Sequence, residues 1–256
     1  MASAKEVLIW GIHPILETLR RHPELVLEVI TQERQPSAKQ QEIIDLAARQ
    51  KIPLRHQPHL PLPPGEPQPN HQGVAARLKG FPACELPDLL DLDGESAPTL
   101  VALDSIQDPH NLGAIIRSAA GAGANGVIIP KDRCAPLEGA AAKVAAGTMS
   151  LIRICRVTNL VEALMELKEA GYWIFGAEGG AGNSIYNTDL SGKACLVIGS
   201  EGKGLRPLVR KQCDFLISIP MSGQVESLNA SVAAGVMLFE MARQKSLARQ
   251  ITSKKA

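Results

Sequence analysis

TLVALDSIQDPHNLGAIIRSAAGAGANGVIIP, from Thr99 to Pro130, reads as strand, helix, strand. Apolar residues fill Leu100 to Leu103, then Leu112, Ile115, Ile116, Ala119 and Ala120 recur at helical spacing, then Gly126 to Pro130 turns apolar again. A helix joining two strands lets them run parallel, so the unit predicts an α/β fold. Downstream the alternation continues with a helix near Leu137 to Ala146, strand LIRICRV, helix LVEALMELKEAG, strands YWIFGA and CLVIG, helix LRPLVRKQC and strand FLISIP. A long final helix starts at about Leu228. Residues 99–256 should therefore build a mostly parallel sheet covered on both faces, with ligands at the carboxyl ends of its strands.

Upstream lies a smaller α/β module over residues 1–79: strand VLIWG, a helix through Ile15 to Arg21, strand LVLEVIT, helix QQEIIDLAARQ, a short strand near Ile52 and a last strand in HQGVAARLKGF. Six prolines between Pro58 and Pro69 exclude regular structure there. Residues 80–98 hold five acids and no Lys or Arg, which marks a flexible Pro-rich, acidic linker between the two modules.

The 256 residues, 45% of them hydrophobic, can bury a core. Net charge is +1, so a polyanion must be met by local patches. The five cysteines, Cys84, Cys134, Cys155, Cys195 and Cys213, show no CxxC or Cys/His grouping, which argues against a zinc site and for a reducing compartment. No signal peptide and no apolar run of about 20 residues is visible, so the expected location is cytoplasmic.

Three turns carry chemistry. NLGAIIR, Asn111 to Arg117, offers Asn111 as a helix N-cap, Gly113 for close backbone approach, and Arg117 about 130° from the centre of the apolar stripe. VIGSEGKGL, Val197 to Leu205, sets Gly199, Gly202 and Gly204 around Glu201, more glycines than one tight turn needs. IPMSGQVESLNAS, Ile219 to Ser231, places Ser227 and Asn229 at the start of the last helix, with Leu228, Val232, Val236 and Phe239 as its expected buried stripe. GAGANG, Gly121 to Gly126, matches GxGxxG by letter but ends a helix and enters a strand, the reverse of the dinucleotide context. GSEGKG lacks the GxxxxGK[ST] spacing, which excludes a nucleoside-triphosphate loop.

Read jointly, NLGAIIR, GSEGKGL and IPMSGQVESLNASVA resemble the three motifs of the SpoU (TrmH-type) branch of the SPOUT RNA methyltransferases, in order and at matching intervals. The likeness covers nearly all of residues 99–256, while the first module with HQGVAAR resembles the RNA-binding domain of bacterial RlmB-type enzymes acting on a guanosine 2′-hydroxyl of 23S rRNA. The resemblance implies a SPOUT domain tied in a deep trefoil knot, S-adenosyl-L-methionine as cofactor, an RNA partner and pairing into a homodimer. It implies donor contacts from Gly199, Ile219 and Leu228, with Glu201, Met221, Gly223 and Asn229 beside them. It further implies catalytic or substrate-positioning roles for Asn111, Arg117, Glu201, Ser227 and Asn229.

Methyl transfer from a sulfonium needs no metal, and most of the barrier reduction comes from orientation. A guanidinium with a pKa above about 12 is a reluctant base, so Arg117 suits a phosphate clamp that also stabilises developing negative charge. Arg117, water and a phosphate oxygen all stand as proton acceptors. Glu201 would orient Arg117 or cap a loop. His13, Arg20, Arg21, Arg49, Lys51, Arg55, His56 and Arg77 supply donors for RNA in the first module, and with 3% aromatic residues shape and backbone recognition are favoured over stacking. The alternatives are a tRNA 2′-O-methyltransferase and a non-catalytic RNA-binding or assembly protein.

Overall fold

A computed structural model describes residues 6–32, 35–62, 71–80, 83–90, 92, 97–137, 139–145, 148–223 and 227–253. Most of the proline-rich stretch and the linker acids Asp91, Asp93 and Glu95 lie outside the described residues. The chain forms two compact units, residues 1–82 with 136–151, and residues 83–135 with 152–256.

The first unit holds β1 (Val7–Trp10), α1 (Ile12–Arg21), β2 (Val26–Gln32), α2 (Ala38–Arg49), β3 (Leu54–Gln57) and β4 (Val74–Leu78). Its sheet runs β1-β4-β2-β3, with β4 antiparallel to β1 and β2, and β3 parallel to β2. The helices pack on one another, burying Ile15 and Leu19 of α1 and Ile43 and Ala47 of α2. A capping box in which Ser37 accepts from the Gln40 amide and Gln40 reaches back to the Ser37 amide starts α2.

The second unit begins with β5 (Ala83–Cys84) and α3 (Pro87–Leu90), followed by β6 (Thr99–Asp104), α4 (Pro109–Gly121) and β7 (Gly126–Pro130). Between β7 and the next strand lies α5 (Ala140–Val144), whose surrounding residues 136–151 group with the first unit. The remainder is β8 (Arg153–Val157), α6 (Leu160–Glu169), β9 (Trp173–Ala177), β10 (Asn183–Ser184), β11 (Ala194–Gly199), α7 (Pro207–Arg210), β12 (Phe215–Ser218) and α8 (Ala230–Ser253). Eight strands in the order β10-β12-β9-β11-β6-β7-β8-β5 form one sheet, every pairing parallel. The central strands β6 and β11 are buried along their whole length, as expected where helices cover both faces. Leu100 and Ala102 join the cluster under α6, while Val101 and Leu103 point to the opposite face, where α4 and α8 pack together.

Several expectations change. Among the described residues of 80–98, β5 extends the sheet, Leu89 of α3 is fully buried, and the Tyr172 hydroxyl donates to the Leu89 carbonyl at 3.0 Å. Leu86 and Leu89 carry enough apolar surface to seat this segment despite its acids. The helix expected from Leu137 to Ala146 shortens to α5, entered through Gly139 at φ +64, and belongs to the first unit. The last helix, α8, continues past Leu247 to Ser253. On α8 the buried apolar residues are Ala230, Ala234, Met237, Leu238 and Met241, whereas Val232 and Phe239 are more than half exposed. The helix carries two apolar faces, and periodicity alone selected the outer one. GAGANG is the helix stop and turn it was read as, with Gly123 at φ +75 and β7 starting at Gly126.

Candidate active site

Asp108 is the N-cap of α4, accepting from the His110 amide at 2.8 Å with Pro109 in the first turn. Asn111 is thereby displaced from the capping role to the inside of the first turn, where it is buried and free to use both ends of its amide elsewhere. Its Nδ2 donates to Glu201 Oε1 at 2.6 Å, and its Oδ1 accepts from Asn229 Nδ2 at 3.1 Å. Asn229 Nδ2 also donates to Glu201 Oε1 at 2.5 Å. The other end of Asn229 caps α8, its Oδ1 accepting from the amides of Ser231 and Val232 and from the Ser231 hydroxyl. Because the helix amides can be met only by an oxygen, the orientation of Asn229 is decided, and with it the direction of every bond in the triangle. One residue from each of the three sequence motifs meets here.

The middle motif turns on Gly199. A Cβ at this position would fall 2.3 Å from the carbonyl carbon of Gly204, so only glycine lets the chain fold back on the end of β11. Ser200 and Gly204 close the loop with reciprocal backbone hydrogen bonds of 3.1 and 2.9 Å, and Gly202 and Gly204 sit at φ +77 and +63. Beyond the loop the Arg206 amide and Nε both donate to the carboxylate of Asp104, the last residue of β6.

A cavity of about 550 Å³ opens at the carboxyl ends of β9 and β11, within the second unit. The whole loop from Gly199 to Gly204 lines it, with Ile198, Ile219, Met221, Leu228 and Met237 as apolar walls and Glu178, Ser227 and Asn229 as polar points. Arg210 holds Glu178 by two hydrogen bonds of 2.6 and 3.0 Å, which keeps that carboxyl below the usual carboxylate range. This size, mainly apolar lining and exposed loop backbone suit a nucleoside-sized ligand. Gly199, Glu201, Ile219, Met221, Leu228 and Asn229 all line the cavity, as does Ser227. Gly223, at φ +95, Asn111 and Arg117 do not. Arg117 is exposed on α4 and makes no hydrogen bond or ion pair among the described residues, so Glu201 holds Asn111 and Asn229 rather than Arg117. Ala177, Gly179, Ala233 and Met237 line the cavity without having been foreseen, since small and apolar residues give no sign of a site.

The joining of the three motifs through Asn111, Glu201 and Asn229, the last two lining the cavity, agrees with comparisons to known proteins. The model of the SpoU rRNA methylase family matches residues 98–239, more than half of the chain. The chain belongs to the SpoU rRNA methylase family. A second model, RNA 2′-O ribose methyltransferase substrate binding, matches residues 8–83. This SpoU family chain is 43% identical over 248 residues to the 23S rRNA (guanosine-2′-O-)-methyltransferase RlmB of Xylella fastidiosa, covering 96% of this chain and 99% of the relative. It is 41% identical to RlmB of Escherichia coli K12, covering 93% and 99%. Among solved structures, the SpoU methyltransferase AviRb of Streptomyces viridochromogenes in complex with AdoMet aligns with a TM-score of 0.79 at 26% identity, over 94% of this chain and 91% of that one.

Proposed function

We propose that this protein methylates the ribose 2′-hydroxyl of a guanosine in 23S rRNA, using S-adenosyl-L-methionine. The observation that carries this reading is the hydrogen-bonded triangle of Asn111, Glu201 and Asn229 beside one cavity, since three segments far apart in the chain have no packing reason to join the exposed Glu201 and Asn229 to the buried Asn111 at the carboxyl ends of the strands. Relatives acting on 23S rRNA align over nearly their whole length, including the first unit, which favours rRNA over tRNA. An assembled polar network also speaks against a non-catalytic RNA-binding protein.

S-adenosylmethionine, when bound, supplies a methyl group on a positively charged sulfur, and no metal is required. The backbone of Gly199 to Gly204 and of Ile219 and Leu228 would hold the donor, with Glu201, Met221 and Asn229 shaping the walls and Gly223 reaching the donor from beyond them. Neutral amides of Asn111 and Asn229 fix Glu201 by one oxygen, leaving its Oε2 without a partner among the described residues and turned to substrate recognition. Ser227 at the cavity offers a hydroxyl to the nucleotide. Arg117, without a hydrogen bond or ion pair among the described residues, clamps the phosphate next to the target ribose and stabilises the developing alkoxide at the 2′-oxygen.

Two copies pair through the face of α8 that carries Val232 and Phe239, next to α4, and the order β12-β9-β11-β6 together with the return of α8 onto α4 supports the threaded path of a deep trefoil knot. Residues 1–79 hold the RNA, residues 80–98 connect, and residues 99–256 carry out transfer in the cytoplasm. The test is transfer of labelled methyl to 23S rRNA followed by mapping of the modified ribose. Arg117→Ala should lower transfer at least a hundredfold with the donor Kd within about twofold of wild type; unchanged turnover removes Arg117 from the mechanism.

A further inference from the structure

We propose that Asp104 and Arg206 form a latch that holds the loop from Gly199 to Leu205 in its donor-binding shape, making both of them positioning residues although neither lines the cavity. The inference rests on reading that cavity as the methyl-donor site. Asp104 ends β6 directly opposite Gly199 of β11, and its carboxylate is fully buried. A buried carboxylate must find donors, and here they come from two places. The Ser105 hydroxyl donates to Oδ1 at 3.3 Å, while Arg206, the second residue after Gly204, gives its amide to Oδ2 at 2.7 Å and its Nε to Oδ1.

The loop is held at Glu201 by Asn111 and Asn229, at Ser200 and Gly204 by their backbone bridge, and at Leu205 by burial in the core. A side chain added at Gly202 or Gly204 would meet nothing within 4 Å, so the glycine turn between these anchors has no packing of its own and depends on how the loop's exit is fixed. The strand pairing of β6 with β11 is complete at Gly199, before the loop begins, and does not depend on the carboxylate. Ser105 beside the latch adopts φ +65, a left-handed conformation unusual for a residue with a side chain, and it turns the chain from Asp104 toward the first motif. One carboxylate therefore ties the exit of the second motif to the entry of the first.

The test uses the full chain as Asp104→Asn, Arg206→Lys and Arg206→Ala, with hydrogen exchange read without ligand and S-adenosylmethionine affinity by calorimetry. In Asp104→Asn and Arg206→Ala, exchange at the Ser200 and Gly204 amides should rise more than tenfold, the donor Kd and KM should rise about tenfold, and kcat at saturating donor should stay within about twofold. Arg206→Lys keeps the backbone amide on Oδ2 and a cation for Oδ1, so it should lose less than threefold even if the other two variants fold poorly. Exchange at wild-type rates, or faster exchange with unchanged donor affinity, overturns the latch. A fall in kcat with the donor KM unchanged overturns it as well. Wild-type protein that fails to bind S-adenosylmethionine overturns the donor reading itself, while the exchange rates still judge whether the loop is held.

Discussion

Gly199 leaves the least latitude of any residue in the site. Adding one methyl there pushes into the backbone of Gly204, and no side-chain rotation relieves a backbone clash, so the loop must open. Gly199→Ala should weaken S-adenosylmethionine binding more than tenfold by calorimetry, and wild-type affinity would show that the loop does not shape the donor site. The thiols, buried or half-buried, behave in the opposite, quiet way. Burial pushes Cys134 up to about 11 and Cys155 and Cys213 up to about 12, so all three stay protonated through neutral pH. The thiolate is the reactive form, and a raised pKa removes it. Iodoacetamide labelling at pH 7.5 should be at least about a hundredfold slower in the native protein than in guanidinium-unfolded chain, measured by mass spectrometry.

Among the elements, α8 carries two apolar faces. Its inner face closes the sheet through Ala234, Met237, Leu238 and Met241, and Lys245 near its end donates to the carbonyls of Ala97 and Pro98 at 2.8 and 3.1 Å, fixing the start of β6. Its outer face presents Val232 and Phe239 to solvent in the single chain. Burying such residues stabilises association by roughly 1.5–3 kcal/mol each. Phe239→Asp combined with Val232→Asp should convert a dimer to a monomer in size-exclusion chromatography with light scattering, leaving the melting temperature of the monomer little changed. A wild-type chain that is already monomeric at micromolar concentration would remove this face from the assembly.

In the whole molecule, the charge that meets RNA is local, as a net charge of +1 requires. Arg20 is occupied by Glu17 and Glu42, Arg21 by Glu17, and Arg77 by Glu6 and Glu28, which leaves Arg49, Lys51 and Arg55, together with Lys39 and Lys79, as the exposed cations of the first unit free of ion pairs among the described residues. His56 on β3 shares a 2.7 Å hydrogen bond with Thr31. Arg49→Glu with Arg55→Glu should lower affinity for 23S rRNA at least tenfold and flatten the dependence of log K on log salt by about two phosphate contacts, with donor affinity unchanged. Loss of donor binding in the same variant would mean that the charges support folding instead.

Apolar runs and their spacing were enough to read the alternation of strands and helices, the parallel sheet and the three polar turns, because period and turn chemistry are properties of neighbours along the chain. Pro109 and Asp108 even carried the true helix start, two letters that outweigh the asparagine chosen from the apolar period. The outward face of α8, the seating of Leu89 and the company kept by Glu201 were not readable in this way. Whether an apolar stripe faces a sheet or water, and which amide meets a carboxylate ninety residues away, depends on how the elements pack. The burial of Asp104 shows the reason most plainly: a charge at a strand end is ordinary in sequence and becomes a constraint once three-dimensional packing removes its water and brings Arg206 to replace it.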